Sequence, residues 1–411
     1  MKGVINMKAP LEGIRVVDVS QFAAGPTTAA FLGDWGAEVI HVEHPIKGDG
    51  TRGVQSGSGQ GIYRQASINY LWDLWNRNKK GMTVDMGKAR GKEIMSKLVG
   101  TADVFLSNLR PYEIEKFGLN YDNLKQINPK LIYANISGYG LKGPDKDGPG
   151  YDSCAFFART GILHQLAEPG MDPAMSRPAM GDNTTGLACF AGIMVALYMR
   201  ERTGIGQEVD VSLYNTGVWV LSVDVQGALT TGDAVQQERR KAAANPLRNH
   251  YKTQEGRWLM LAMLQSDPYW SQVCKMLERE DLESDPRFSS FQQRARNSVE
   301  LIGILDQIFS TKTLVEWKAS MEKFGIPWAP LQTVEEVIHD PQTRVNDFFW
   351  KFDHPTHGPM ELVANPIKLS KTPPTMRMPG PEFSQHTEEI LLELGYSWED
   401  IAQLKIEKII A

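Results

Sequence analysis

Apolar positions in the first 230 residues fall into short β-branched runs separated by longer stretches of helical period, which predicts strands alternating with helices. Ile14-Arg15-Val16-Val17-Asp18-Val19 is the first run, and Glu38–Glu43, Ala102–Leu106, Leu131–Ile136 and Glu208–Leu213 repeat it. Gly25-Pro26 opens a small-residue helix to about Trp35, with proline suited to the first helical position. A long apolar helix is predicted from about Thr184 to Arg200, and another after Leu213 to about Leu229. The expectation is an α/β fold, with a Rossmann-like parallel sheet covered by helices on both faces. Ligands of such sheets gather at the carboxyl ends of the strands.

The pattern changes further along. Residues 231–250 are polar and basic, with Arg239-Arg240-Lys241 before an Ala-Ala-Ala-Asn-Pro turn, and read as a solvated linker. A smaller α+β domain is expected over 251–335, from a buried strand Arg257–Met263 and amphipathic helices near Tyr269–Glu278, Ser298–Phe309 and Leu314–Phe324. Residues 1–230 then form the N-terminal part of the large domain, and 336–411 a C-terminal segment that returns to it.

Composition narrows the class. A chain of 411 residues, 42% hydrophobic and 23% charged, is long enough for two domains, and its net charge of −5 offers no footprint for nucleic acid. The N-terminus from Met1 to Lys8 lacks a signal peptide's apolar core, and no apolar run approaches about 18 residues, so the expectation is a cytoplasmic protein with no membrane partner. Cys154, Cys189 and Cys274 are widely spaced and read as small buried residues. His354 and His357 flank a Pro-Thr turn with no carboxylate or thiolate in register, and read as a solvated loop; no metal is expected.

The candidate chemistry centres on Asp182, in Arg177-Pro178-Ala179-Met180-Gly181-Asp182-Asn183, just ahead of the long apolar helix. An aspartate there faces free backbone N–H groups and the positive end of the helix dipole, which would hold it ionised; it serves either as a cap or as a nucleophile. The turn after the first strand, Ala23-Ala24-Gly25-Pro26, supplies one of the three glycines of a dinucleotide fingerprint, which argues against a nicotinamide enzyme. Trp75-Asn76-Arg77-Asn78-Lys79-Lys80 combines an indole with amides and cations, either as a polar loop or as donors for an adenine and its phosphates. Ser137-Gly138-Tyr139-Gly140 closes a strand with two glycines, which let a ligand approach the backbone.

Taken in order, these segments resemble the class III CoA-transferases, the family of formyl-CoA transferase and carnitine CoA-transferase. The resemblance also runs through Gly36–Glu43, Arg202–Gln207 and Gln385–Gly395. It implies that Asp182 is the catalytic aspartate. It implies CoA contacts at Ala23, Ala24, Asn76, Arg77, Asn78, Lys79, Asn108, Leu109, Arg110, Ser137, Gly138 and Tyr139. His44 and Lys116 stand where formyl-CoA transferase has arginines, which keeps a cation but loses the planar fork. No permanently bound cofactor is implied, since the CoA thioester is a substrate.

The implied mechanism is attack of Asp182 on an acyl-CoA thioester to give a mixed anhydride, followed by return of the thiolate to form an aspartyl-CoA thioester. Backbone N–H groups near Asp182 would stabilise the oxyanions. The segment from Gly138 to Gly161 is most similar to the transferases of phenyllactate, 2-hydroxy acids and benzylsuccinate, which points to an aromatic or bulky acid and a donor such as succinyl-CoA. Tyr151, Phe156 and Phe157 would wall its pocket, the two phenylalanines serving equally well as core. The resemblance further implies an interlocked dimer. A racemase-like epimerase and a non-catalytic acyl-CoA-binding subunit of a hetero-oligomer stay open, although Gly150-Tyr151-Asp152 lacks the histidine of the α-methylacyl-CoA racemases.

Overall fold

Strands β1 (Arg15–Asp18), β2 (Glu38–Glu43), β3 (Lys79–Thr83), β4 (Val104–Ser107), β5 (Ile132–Ser137) and β6 (Glu208–Ser212) form one sheet in the order β3-β2-β1-β4-β5-β6. Every pairing is parallel. The computed structural model describes residues 8–53, 68–233 and 235–411; residues 1–7, on which the reading of the N-terminus largely rests, lie outside it. Among the described residues no helix is long and apolar enough to cross a membrane.

Successive strand residues point to opposite faces, so two cores form. Val16, Val39, Val104 and Ile132 pack with Leu32, Cys189, Phe190 and Ile193 on one side. On the other, Val17, Ile40, Phe105 and Tyr133 meet Ile94, Leu98, Ile390 and Leu404. Burial on both faces explains why these strands read as continuous apolar runs. The chain order reverses between β1 and β4, which opens a crevice beyond their carboxyl ends.

The chain divides into two units. One comprises the described residues of Met1–Leu163, Met175–Asp233 and Asn346–Ala411, and the other those of His164–Ala174 and Ala234–Val345. The second unit has an antiparallel sheet of β7 (His250–Lys252), β8 (Trp258–Leu261) and β9 (Trp328–Pro330). Its helices Ser298–Phe309 and Leu314–Phe324 span the predicted residues, and Gly325 ends the latter at φ +64°.

Several local readings change. The expected linker is, from residue 235 on, part of the second unit: Ala243 and Leu247 lie in its core, and Arg240 forks onto Asp306 at 2.9 and 2.7 Å. Few apolar residues occur there, but they occupy packing positions that composition does not reveal. The helix expected after Leu213 is two, Leu213–Val220 and Ser222–Thr231. Cys189 and Cys274 are buried, whereas Cys154 is exposed. His354 is buried at the end of the strand Phe349–His354, with its Nδ1 accepting the Thr356 and His357 amides.

A buried polar knot ties the helix after β1 to the approach to β3. The Asp34 carboxylate accepts both arms of Arg77 at 2.9 and 2.8 Å, and the amides of Asn78 and Asn365. Removing one partner strands a buried charge, a loss of about 3–5 kcal/mol. Arg77→Ala is therefore expected to lower unfolding stability by that amount in a denaturant titration.

Candidate active site

The crevice at the sheet's switch point holds a cavity of about 260 Å³. Its walls come from the turns after three strands. Ala23 and Ala24 follow β1, Asn108, Leu109 and Arg110 follow β4, and Ser137 and Gly138 close β5. Asp182 lines the same cavity, with Asp152, Tyr151 and Lys146.

Each turn is fixed by its own hydrogen bonds. Asn108 accepts the Gln21 amide at 2.8 Å and donates to the Gln21 carbonyl at 2.7 Å, so the β1 and β4 turns move as one. Gly25 is required there, because a Cβ would lie 2.2 Å from that of Ser20. The Ser137 hydroxyl accepts the Gly140 amide at 3.0 Å. Beyond it, Gly138 and Gly150 touch backbone to backbone; a Cβ on Gly150 would sit 2.2 Å from the Gly138 Cα. That contact folds the 143–151 loop over the end of β5.

Asp182 belongs to the helix Met180–Thr203, which starts four residues earlier than the sequence predicts. Ala179 turns at φ +59°, and Asp182 falls inside the first turn rather than ahead of it. The capping role passes to a residue remote in sequence. Asp152 Oδ1 accepts the Gly181 N–H at 3.0 Å, and the backbone N–H groups of Ala179 and Asp182 lie near enough to favour its ionised form. The Asn183 N–H donates to the Ala179 carbonyl at 2.9 Å. The amides expected to hold Asp182 ionised are thus engaged elsewhere. Burial, with the nearby Asp152 charge, instead pushes the Asp182 carboxyl up to about 7. Burial likewise raises Asp152 to about 6, against the pull of the backbone N–H groups beside it.

Other expected contacts lie apart from the cavity. Asn76, Arg77, Asn78 and Lys79 are buried and serve the fold. Lys79 donates to Asp18 at 3.0 Å and to Asn76 at 2.9 Å, and Asp18 also meets His41 Nδ1 at 3.0 Å. Against the penalty of complete burial, Lys79 and His41 hold the Asp18 carboxyl well below the usual range. The amides and cations that resemble an adenine site are thus joined in a buried network in this structure, and Arg77 also lines a second cavity. His44 Nδ1 accepts the amides of Ile46 and Lys47 in the turn after β2. Lys116 is exposed on the helix Pro111–Phe117 and does not line the cavity. Tyr139 braces the 143–151 loop from outside, its hydroxyl 3.4 Å from the Pro149 carbonyl and its ring under the Arg159 guanidinium. Phe156 and Phe157 are buried in an apolar cluster with Ala155, Ile162 and Leu213, so the core reading holds for both.

Sequence reading passed over Lys146 and the structural part of Asp152. Gly148-Pro149-Gly150, directly after a strand and its Gly-Tyr-Gly turn, was the available signal for a loop folding back. A second, more apolar cavity of about 430 Å³ lies against Asn183, Thr184 and Leu187 of the same helix, with Phe31 and Trp75 in its walls.

Residues 11–387 match the sequence model of CoA-transferase family III. The chain is 36% identical to the (R)-2-hydroxy-4-methylpentanoate CoA-transferase of Clostridioides difficile, over 97% of this chain and 99% of that one. It is 34% identical to the cinnamoyl-CoA:phenyllactate CoA-transferase of Clostridium sporogenes, over 96% of each. The crystal structure of a CaiB/BaiF family protein from Brucella suis superposes with a TM-score of 0.81 at 30% identity, covering 94% of this chain and all of that one.

Proposed function

The chain belongs to CoA-transferase family III, and on that footing we propose that it moves CoA from an acyl-CoA thioester to an aromatic or bulky carboxylic acid through covalent intermediates on Asp182. The observation that carries the reading is the position of Asp182, half-buried in a cavity built by the three strand-end turns and the folded-back loop. Ala23, Ala24, Asn108, Leu109, Arg110, Ser137 and Gly138 would hold the thioester end of CoA. Arg110 and Lys146, the cations of the cavity wall, would meet anionic groups of the substrates. Ionised Asp182 attacks the thioester carbonyl and expels the CoA thiolate, leaving a mixed anhydride. The thiolate then attacks the aspartyl carbonyl and releases the first acid as a carboxylate. The acceptor acid reverses both steps. No net proton moves, and the thioester's energy is conserved while water is kept out.

The two relatives named for branched and aromatic 2-hydroxy acids support the choice of acid. Of the three aromatics expected to wall the acid pocket, Tyr151 is exposed in the cavity wall and would make the aromatic contact, while Phe156 and Phe157 lie in the apolar cluster behind it. Succinyl-CoA is the proposed donor for a benzylsuccinate-type acid, and an aryl acyl-CoA for a phenyllactate type. Assembly as a dimer, or with a homologous subunit, is part of the same proposal. Trp219, Val220, Val223 and Leu229 form an exposed apolar series that such an interface would cover.

The test is a panel of acids incubated with succinyl-CoA and with an aryl acyl-CoA, new thioesters being read by mass spectrometry. Aromatic or branched 2-hydroxy acids are expected to give the largest yield. An epimerised acyl-CoA with no exchange would replace this reading with that of a racemase.

A further inference from the structure

Asp152 opens the π-helical turn Asp152–Ala158, whose phenylalanines anchor it in the apolar cluster. Its carboxylate is buried yet lines the same cavity as Asp182. Oδ1 takes the Gly181 amide, and the carboxylate reaches the amide of Asp182 itself. Residue 181 is glycine for this contact: a Cβ would come 2.3 Å from Asp152 Oδ1 and 2.2 Å from Phe156 Cγ. The other oxygen, Oδ2, is shielded from solvent with no hydrogen-bond partner. Among the described residues no cation lies within ion-pair distance of either carboxylate. The other titratable or charged groups on the cavity wall are Arg110, Glu113, Lys146 and Tyr151.

We propose that Asp152 is a positioning residue for the nucleophile: it clamps the first turn of the Met180–Thr203 helix, and its uncompensated charge adds to burial in raising the pH at which Asp182 ionises. The inference rests on the reading of Asp182 as nucleophile. The Gly181 N–H holds the Asp152 carboxylate one residue before Asp182, so a backbone contact keeps the two acids neighbours on one cavity wall. Two carboxylates in one poorly solvated site resist joint ionisation, so protons leave the pair in two linked steps. Asp182 attacks only when ionised. The acidic limb of the exchange reaction therefore reports this coupling, with activity rising with pH through about 7. The arrangement suits the chemistry, because a more basic carboxylate is a better nucleophile toward a thioester.

The test compares pH profiles of kcat/KM for the wild-type enzyme and Asp152→Asn. The asparagine oxygen still accepts the Gly181 amide, but the charge is gone. The acidic limb is expected to move down by about one pH unit, which raises the ratio of rates at pH 5.5 and pH 8.5 about eight-fold. Hydroxylamine or borohydride trapping of the acylated enzyme is run in parallel. A wild-type adduct on Asp182 with an unmoved limb in Asp152→Asn overturns this inference alone, whereas no wild-type adduct on Asp182 overturns the nucleophile itself. Should Asp152→Asn fail to fold, labelling of wild-type Asp182 by a diazo reagent selective for protonated carboxyls decides the matter. Labelling that falls in two linked steps between about pH 5 and pH 8 supports the coupling, and a single step, or half-labelling near pH 4, overturns it.

Discussion

Asp182→Asn is expected to lower CoA exchange by about 10⁴-fold or more, with secondary structure and unfolding temperature close to wild type. The change removes the attacking oxygen and little else. Asparagine has the size of aspartate and fits the first turn of a helix whose start is capped by another residue, Asp152. Loss of a covalent nucleophile typically costs 10⁴ to 10⁶ in turnover, because the remaining groups stabilise charge but cannot split the reaction into two steps. Direct transfer between acid and thioester would need both substrates in one cavity at once. Exchange measured within ten-fold of wild type in the folded variant would remove Asp182 from the mechanism.

Gly150→Ala is expected to reduce kcat/KM about 100-fold, since displacing reacting groups by about 1 Å costs that much. The added Cβ would lie 2.2 Å from the Gly138 Cα, and the obstacle is backbone that cannot rotate away. Either β5's end or the 143–151 loop must then shift, and both line the cavity beside Asp182. The effect should fall on catalysis more than on folding, because the contact lies at the cavity wall and not among the core strands. Gly227→Ala serves as a control. A Cβ there meets nothing within 4 Å, and helix propensity favours alanine, so steady-state kinetics should match wild type. Equal behaviour of the two variants would mean that the loop does not shape the site.

Much of the fold was legible because the signals are local or strictly periodic. Strands buried on both faces announce themselves as apolar runs, and Gly25-Pro26 marks the first helix. The cavity's position follows from strand order, and the turns after β1, β4 and β5 supply the residues expected there. What escaped depends on contacts between distant residues. The cap on the Asp182 helix comes from 29 residues before the amide it takes, so local pattern placed the helix start four residues late and missed the burial that pushes the aspartate's carboxyl up. Asn76 to Lys79 show what pattern cannot separate: amides and cations beside an indole look like a ligand site, and their burial against Asp34 and Asp18 adds a structural part that the sequence does not display. Phe156 and Phe157 were ambiguous for a related reason, since an aromatic on a helix serves a core and a pocket equally well until its neighbours are known.

The first unit is finished by residues from the far end of the chain. Asn365 completes the ring of donors on Asp34, Arg377 reaches the Gly33 carbonyl at 2.7 Å, and Ile390, Leu391, Ile401 and Leu404 seal one face of the sheet. During synthesis the six strands are therefore all made well before that face is covered. Until the final stretch of codons, beyond Asn365, has been read, a nascent polypeptide carries a partly uncovered apolar sheet, the kind of surface that chaperones shield. Early termination anywhere after β6 would accordingly yield a sticky fragment rather than a smaller working enzyme.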